Sequence, residues 1–408
     1  MPTQEQYNVS KQAIQNKYIK IELLNFDMLT VDELSGNCIG GNISIDANAD
    51  IRRTCYVELV VTDSSFNVES GSKIWLDKYI RIYVGIDNIM TGDITWFNQG
   101  VYLIDAPSYD YDSATHTLHF SGLDLMSKMT GQRNGYLENI PTVIPQGSSV
   151  REAIIQVVTQ LGGFSNYVVD ECRLRDGTIQ DVPNDIVIDG GSTVYDMLVA
   201  LRDIMPYYQM YFDVDGTFIY NQIPTGEYEI IVADDDLFNN VIISESINTD
   251  FSSVKNEILV YGRDGVEGYA LDDNPDSPFN YENIGKIRKV LFGGEFDNIT
   301  TSDLANERAQ YELYQSTRMQ DSVTWEMIPV YWFEMNQVVE HIPRGQNKPV
   351  KYIIKSISFE LSPLSTMTLN AIRYYSPYQT ITRYFFITSD NLRFMTSDNE
   401  YLVVKSRP

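Results

Sequence analysis

The sequence has few cysteines, only three among 408 residues. Cys38, Cys55 and Cys172 are far apart and form no CxxC pair. An odd number of scattered cysteines provides no disulfide framework and fits a chain made in a reducing cytosol. The spacing also gives no zinc-binding pattern, so the cysteines predict neither a disulfide-stabilised secreted protein nor a metal centre.

Histidines are equally scarce, with three in the whole chain. His116 and His119 form the only close pair, but residues three apart in a strand point to opposite faces and cannot share a metal. His341 stands alone, which is typical of a surface or packing residue. The sequence therefore predicts no metal ligands.

Known catalytic and nucleotide-binding motifs are missing. There is no GxSxG elbow, no GxxxxGK(S/T) and no GxGxxG after a strand. Gly190–Ser192 precedes a helix and is read as part of a helix cap. We expect no catalytic residue and no cofactor, although 56 acidic residues leave a carboxylate pair for glycan hydrolysis open.

Positive charge is also in short supply, since 30 Lys and Arg face 56 Asp and Glu, for a formal net charge of -26. Nucleic-acid binding needs clustered positive charge, so we expect no specific nucleic-acid site. The acidity either keeps a β-rich protein soluble or lines a passage that must not retain DNA. The polar start of the chain shows no secretory signal, and no apolar run is long enough for a membrane span.

Aromatic residues are abundant, with 28 Tyr and 17 Phe, and they suit half-buried strand surfaces. Residues 1–142 contain five or more short runs rich in β-branched and aromatic residues, separated by Gly, Asn, Asp or Ser. This pattern predicts a β-sandwich or β-barrel. The clusters at residues 207–212 and 331–333 are read as strand cores, with a stacking surface for sugars as the alternative.

The pattern changes in residues 143–235, where two helices are predicted. Ser149 with Glu152, and Thr193 with Asp196, have capping-box spacing. The strings GSSVREAI and GSTVYDML are similar and lie 44 residues apart. They represent either a duplicated unit or two helices with similar caps. Asp215-Gly216 predicts a hairpin turn after the second helix.

Residues 236–376 again read as strands, with one helix beginning after a cap at Ser302. Asp272, Asn274 and Asp276 match the first ligands of a calcium loop, but Ser277, Pro278 and Asn283 occupy positions where the pattern fails. We interpret this stretch as an acidic surface loop. Residues 377–408 follow as a short C-terminal segment.

The order of these elements resembles the central hub family of phage tail baseplates and related contractile injection systems. The resemblance is carried by SGLDLMSKM before the first capped helix, and by IPRG, YIIKSISFEL and MTLNAIRYY near the end. It implies a mainly β fold with a small α/β insertion. Two tube-like β-barrel or sandwich domains, residues 1–142 and 236–376, would flank the helix-containing segment 143–235.

The same resemblance implies a function and partners. Hubs of this family form trimeric rings that join a sixfold tail tube to a threefold spike or fibre, and they leave a channel for DNA. We therefore expect a homotrimer that contacts the tail tube or distal tail protein and a spike or fibre, with the tape-measure protein as a further candidate partner. The protein would be made in the bacterial host cytoplasm and end in the virion tail tip, with DNA only passing through. The short segment after residue 376 favours a purely structural hub, or one whose lytic partner is a separate chain.

The C-terminal segment carries a repeated word, TSDN, at residues 388–391 and 396–399. Ser, Asp and Asn favour turns, so short strands between them would form a small unit that needs a surface to pack on. That surface is its own β-domain, a neighbouring subunit or the spike, and we favour docking to a partner. The apolar residues assigned to docking are Ile387, Leu392, Phe394, Met395, Tyr401, Leu402 and Val403.

Three alternative functions remain open from the sequence. A tail-tip receptor or carbohydrate-binding protein would need an exposed aromatic platform. A distal tail ring protein would be hexameric. A cell-wall glycan hydrolase would need a cleft with two facing carboxylates.

Overall fold

The computed structural model describes residues 2–111, 115–138, 141–174, 177–205, 207–224, 230–275, 277–317, 320–374, 384–385 and 403–404. Residues 2–138 form one short helix and seven strands. They are α1 (Gln4–Ser10), β1 (Lys17–Leu24), β2 (Thr30–Glu33), β3 (Cys38–Asp46), β4 (Arg53–Val60), β5 (Tyr79–Asp87), β6 (Ile94–Tyr111) and β7 (His116–Leu123). Sequence reasoning missed α1, which begins with a capping box formed by Thr3 and Gln6.

The next segment, up to Gln222, mixes short helices with short strands. It comprises β8 (Thr142–Ile144), α2 (Val150–Gln156), β9 (Tyr167–Val169), β10 (Ile186–Ile188), α3 (Val194–Arg202), β11 (Tyr208–Phe212) and β12 (Phe218–Gln222). A π-helical turn at Val157–Leu161 continues α2. Both predicted helices are therefore present, as is the hairpin between β11 and β12.

The remaining residues return to strands but carry three helices, not the single predicted one. The elements are α4 (Asp235–Val241), β13 (Ile242–Asp250), β14 (Glu257–Tyr261), β15 (Glu267–Leu271), α5 (Tyr281–Ile284), β16 (Arg288–Phe292), α6 (Ser302–Ser316), β17 (Gln320–Met327), β18 (Val338–His341), β19 (Val350–Glu360), β20 (Met367–Tyr374), β21 (Tyr384–Phe385) and β22 (Val403–Val404). The N-cap of α6 is Thr301, one residue before the predicted Ser302. The five 3-10 turns of the described residues are Ser35–Asn37, Ser64–Phe66, Leu125–Lys128, Arg263–Gly265 and Gly294–Asn298.

One long sheet joins strands from the two β-rich segments. Its order is β13-β17-β20-β19-β3-β4-β7-β6-β5-β1-β2, with β18 paired to β19. The link is the antiparallel pairing of β3 with β19, in which Ile45 lies opposite Ile357. The described strands form an open sheet, and β13 and β2 are its edges. This confirms the mainly β fold class, while the predicted domain boundaries stay a prediction.

The strands of this shared sheet bury their apolar side chains in one common core. Ile43 and Val57 from the first strands and Trp325 and Ile357 from the last are all buried in the same cluster. A second core contains α2, α3 and the buried side of a small sheet, β15-β14-β16, on which α6 packs. The first core therefore contains residues from both β-rich segments, because strands far apart in sequence bury their apolar faces together.

Ile357 tests whether the two β-rich segments depend on each other. It is buried and lies opposite both Leu369 of β20 and Ile45 of β3. We expect Ile357→Ala to lower the free energy of unfolding by about 3 kcal/mol, because it removes buried methylene groups and leaves a cavity. Urea denaturation measures this loss. Ser358→Ala, exposed on the same strand, is the control and should change the value by less than about 0.5 kcal/mol. Equal effects of the two variants would contradict the shared core.

Candidate assembly surfaces

A buried arginine lies where three parts of the chain meet. The Arg53 side chain is 2% exposed and forms an ion pair with Glu334, in the loop between β17 and β18. The Arg53 backbone N–H donates to Asp124 Oδ2 (3.0 Å), and the other carboxylate oxygen accepts from the Met126 N–H (2.9 Å). Burial raises the pKa of Asp124 to about 6 even with these donors and the nearby arginines. Loops that follow strands β7 and β17 are thus fixed to the start of β4.

Neighbouring polar residues extend this contact to the helix-containing segment. The Arg52 guanidinium donates to Gln209 Oε1 of β11 (3.1 Å) and lies 4.2 Å above the ring of Tyr211. Asn336 donates to the same Gln209 oxygen (2.6 Å) and accepts from Lys355 Nζ (2.7 Å). Arg52, Arg53, Gln209, Glu334 and Asn336, hereafter the junction network, link all three segments through hydrogen bonds and one ion pair. All of them except Glu334 are buried.

The two edges of the long sheet are candidate surfaces for association. Among the described strands, β13 pairs only with β17, and β2 pairs only with β1. β13 is nine residues long, and its Ile243 and Ile247 are exposed. An edge strand presents unpaired N–H and C=O groups that another strand can bind. Exposed isoleucines on such an edge favour coverage by a partner strand.

The three histidines lie apart, and none forms a metal site. His116 stacks on Tyr111, whereas His119 stacks on Tyr56 and lies 3.0 Å from Asp110 Oδ2. In the described residues, no group of three or more His, Cys, Asp and Glu side chains is arranged to hold a metal ion.

His341 differs from the predicted lone residue, because it is buried between two carboxylates. Its Nδ1 lies 2.6 Å from Asp235 Oδ1, and its Nε2 lies 3.0 Å from Glu245 Oε2. The Trp325 indole N–H donates to the same Glu245 oxygen (3.0 Å). These partners are about a hundred residues away in sequence, so spacing gave no signal for them. The contacts attach the start of α4 and the edge strand β13 to β18.

Most predicted turns and caps have the expected local structure. Thr193 and Asp196 form a complete capping box on α3, which confirms the helix-cap interpretation of the preceding glycines. Asp213 accepts from the backbone N–H groups of residues 215 and 217 and closes the hairpin. The acidic loop lies at the surface through residues such as Asp273, but Asp272 is buried and accepts from the Ser277 hydroxyl (2.5 Å). Asp276 lies outside the described residues.

The aromatic clusters mostly pack inside the protein. Tyr208 and Phe212 are buried within the second core, and Tyr331 and Phe333 are buried within the first. They therefore provide no exposed platform for stacking a sugar. Of the residues assigned to docking, only the backbone of Val403 is described, in β22; Ile387, Leu392, Phe394, Met395, Tyr401 and Leu402 lie outside the described residues. Their role stays a prediction.

Glu257 stabilises one end of the small sheet. Its buried carboxylate accepts from Arg288 Nε (2.7 Å), Lys286 Nζ (3.2 Å) and the Tyr269 hydroxyl (3.1 Å). The hydrogen bond from Arg288 is the main cause that lowers the pKa of Glu257 to about 2. Strand β16 and the turn before it are thereby held to the central strand, β14.

Comparison of the sequence with known families matches only part of the chain. Residues 276–378 match a family described as "Domain of unknown function (DUF5048)", which covers less than half of the chain. No curated protein sequence matches the chain. No helix in the described residues has the length and apolar character needed to cross a membrane.

Solved structures of three prophage or bacterial tail proteins share the overall fold. The 43 kDa tail protein of prophage MuSo2 from Shewanella oneidensis is 13% identical with a TM-score of 0.59, and the alignment covers 88% of this chain and 98% of that one. A tail protein from Neisseria meningitidis MC58 is 12% identical with a TM-score of 0.58, covering 87% and 96%. Prophage tail protein gp18 from Listeria monocytogenes EGD-e is 13% identical with a TM-score of 0.52, covering 86% and 94%. The chain therefore has the fold of phage tail proteins, which confirms the predicted resemblance at the level of fold.

Breaking the junction network should destabilise the whole protein. We expect Glu334→Ala to lower the free energy of unfolding by about 3 kcal/mol, because it leaves the Arg53 charge buried and unpaired. Chemical denaturation measures the loss. The double variant Arg53→Met, Glu334→Leu removes both charges and should recover most of it. A double variant that is as unstable as the single one would contradict the importance of the unpaired charge.

Glu257 should make stability depend on pH in acid. Its folded pKa, about 2, lies below the ordinary value of 4.5, so its contribution is complete above about pH 4.5 and is lost as the pH falls towards 2. The difference in unfolding free energy between the native chain and Glu257→Gln should therefore shrink across this range. Denaturation at several pH values measures it. Glu267→Gln, which changes an exposed carboxylate on β15, is the control. If the difference in unfolding free energy between the native chain and Glu257→Gln were the same at every pH, the assignment would be contradicted.

Proposed function

We propose that this protein is a structural component of a phage tail or a related injection system, and that three copies form a ring at the tail tip. The observation that carries the proposal is the long sheet, in which two β-rich segments of one chain pair through β3 and β19 and leave two free edges. The shared fold with tail proteins supports the same conclusion. The proposed location is the virion, after synthesis in the host cytoplasm.

The free edges give a physical route to a ring. Edge β13 of one copy and edge β2 of the next are different surfaces, so their contact is heterologous, and heterologous contacts close into rings when the rotation allows. Each copy contributes two β-rich segments, so three copies contribute six. Such a ring presents six similar units to a tail tube and three to a spike or fibre, and adapts one symmetry to the other.

The acidity of the chain suits a passage for DNA. Three copies carry a formal charge of -78, three times the -26 of one chain. Carboxylates that face a channel repel the phosphate backbone, so DNA passes without binding to the wall. Tail tube, distal tail protein, spike and tape-measure protein are the proposed partners, and no catalytic step is part of this function.

The oligomeric state tests the proposal. We expect light scattering on a sizing column to give three times the mass of one chain over a range of concentrations. A hexamer would instead support a distal tail ring. A monomer at every concentration would contradict ring formation by the chain alone.

A single edge substitution sharpens this test. Ile247→Lys places a charge on the exposed edge strand β13 and should weaken association by roughly tenfold or more, because the apolar contact is lost and a charge is buried. Met90→Lys, in the exposed turn between β5 and β6, is the control and should associate like the native chain. Both variants should keep the native thermal unfolding temperature. Equal association of Ile247→Lys and the native chain would show that β13 is not in the interface.

A further inference from the structure

One face of the small sheet β15-β14-β16 carries exposed apolar side chains between charged residues. The opposite face packs on α6, so closely that a Cβ atom on Gly268 would lie 2.1 Å from the Ala305 carbonyl oxygen. The residues that alternate along the strands with Ile258, Val260 and Ala270 form the outer face of the small sheet. Its apolar members are Leu259, Tyr261, Tyr269, Leu271, Val290 and Phe292, and Glu257, Glu267 and Arg288 lie on the same face at the ends of the strands. Phe292 is 73% exposed, and Tyr261, Tyr269 and Val290 are between 38% and 46% exposed.

The six side chains are neighbours across the strands. Leu259 lies opposite both Tyr269 and Val290, and Tyr261 lies opposite Phe292. They therefore form a continuous patch and are not scattered single residues. Exposed contiguous apolar patches mark interaction sites. No other strand of the described residues pairs with the small sheet, and Tyr261, Tyr269, Val290 and Phe292 remain exposed on its outer face, where a further layer could pack.

Strand β20, which precedes the C-terminal segment, ends near the connections to the small sheet. The two connections between the long and small sheets lie together, since the Lys255 N–H donates to the Ser316 carbonyl (2.9 Å). There Asp250 of β13 pairs with Gln320 of β17. On the other side of β17, Ser322 pairs with Ile372 of β20. Strand β20 thus ends at the side of the long sheet from which the small sheet emerges.

The segment that follows β20 carries little net charge, which suits packing on an acidic part of the protein. Residues 375–408 contain four Lys or Arg and three Asp or Glu, so they are nearly neutral in a chain of net charge -26. Residues 251–317, which hold the small sheet, carry six basic and twelve acidic residues. A nearly neutral, aromatic-rich segment meets little repulsion from this acidic region.

The backbone of the segment also fits a layer on a sheet. Phe385 pairs antiparallel with Val403, and Tyr384 with Val404. A two-stranded ribbon is only marginally stable by itself and needs an apolar surface to pack on. Nine residues connect Tyr374 to Tyr384, and in extended form they span about 30 Å. Strands of a sheet are about 5 Å apart, so this length reaches every strand of the small sheet.

We propose that the C-terminal segment, residues 375–408, docks on the outer face of the small sheet of the same chain. The segment thus packs on its own chain and not, as the sequence favours, on a partner. Its apolar residues cover Tyr269, Val290 and Phe292. This docking does not require the ring, because face and segment belong to one chain.

Limited proteolysis of the full chain with trypsin tests the docking. Trypsin cleaves after Arg383 and Arg393, and mass spectrometry measures the rate at each site. In the native chain we expect slow cleavage relative to a free peptide of residues 375–408. The double variant Val290→Thr, Phe292→Ser should be cleaved about tenfold faster or more, because each large apolar side chain withdrawn from the contact weakens docking by roughly tenfold.

Three comparisons decide the outcome. Leu364→Ser changes an exposed leucine outside the face, so it should be cleaved like the native chain. Ile247→Lys should also retain protection, which separates this docking from ring assembly. Equal cleavage of the double variant and the native chain, or native cleavage as fast as the free peptide, would overturn the proposal. Protection that disappears on dilution would assign the contact to the segment of a second copy and would overturn docking within one chain.

Discussion

The fold depends on the cost of burying one positive charge. Arg53 can lose its hydration only if Glu334 and the groups around Asp124 are brought to it, and these lie in different strand connections. The junction network adds Gln209 from the helix-containing segment, which accepts from Arg52 and Asn336, so all three parts of the chain meet there. An apolar core would accept many similar arrangements of strands. The buried charge accepts few, and we infer that it selects the pairing of β3 with β19.

That pairing determines which surfaces remain free. A sheet that joined its own ends would have no edge to offer, whereas the described strands leave β2 at one end and β13 at the other. The second edge is held firmly, because His341 and Trp325 both contact Glu245 of β13. A strand fixed in this way offers its backbone groups in a constant position. Association through it costs little conformational entropy, which favours assembly.

Local sequence signals predicted the local structure well. The caps at Ser149 and Thr193, the hairpin at Asp215 and most strands follow from side chains within a few residues of each other. The partners of His341, the burial of Asp272 and the pairing of β3 with β19 did not follow from the sequence. Each depends on which distant segments meet, and an apolar strand alone does not identify its neighbour. The overall fold could be predicted only because the order of elements resembles that of a known family.

The two kinds of open surface differ in what they recognise. A sheet edge binds through backbone N–H and C=O groups, which every residue except proline offers, so it suits contacts repeated by symmetry between identical copies. The outer face of the small sheet binds through side chains such as Tyr269 and Phe292, and its occupant must match their shape. An assembly that formed through the face would compete with the C-terminal segment. If that segment covers the face, the face cannot compete with the sheet edges for other copies, and association through the edges is favoured.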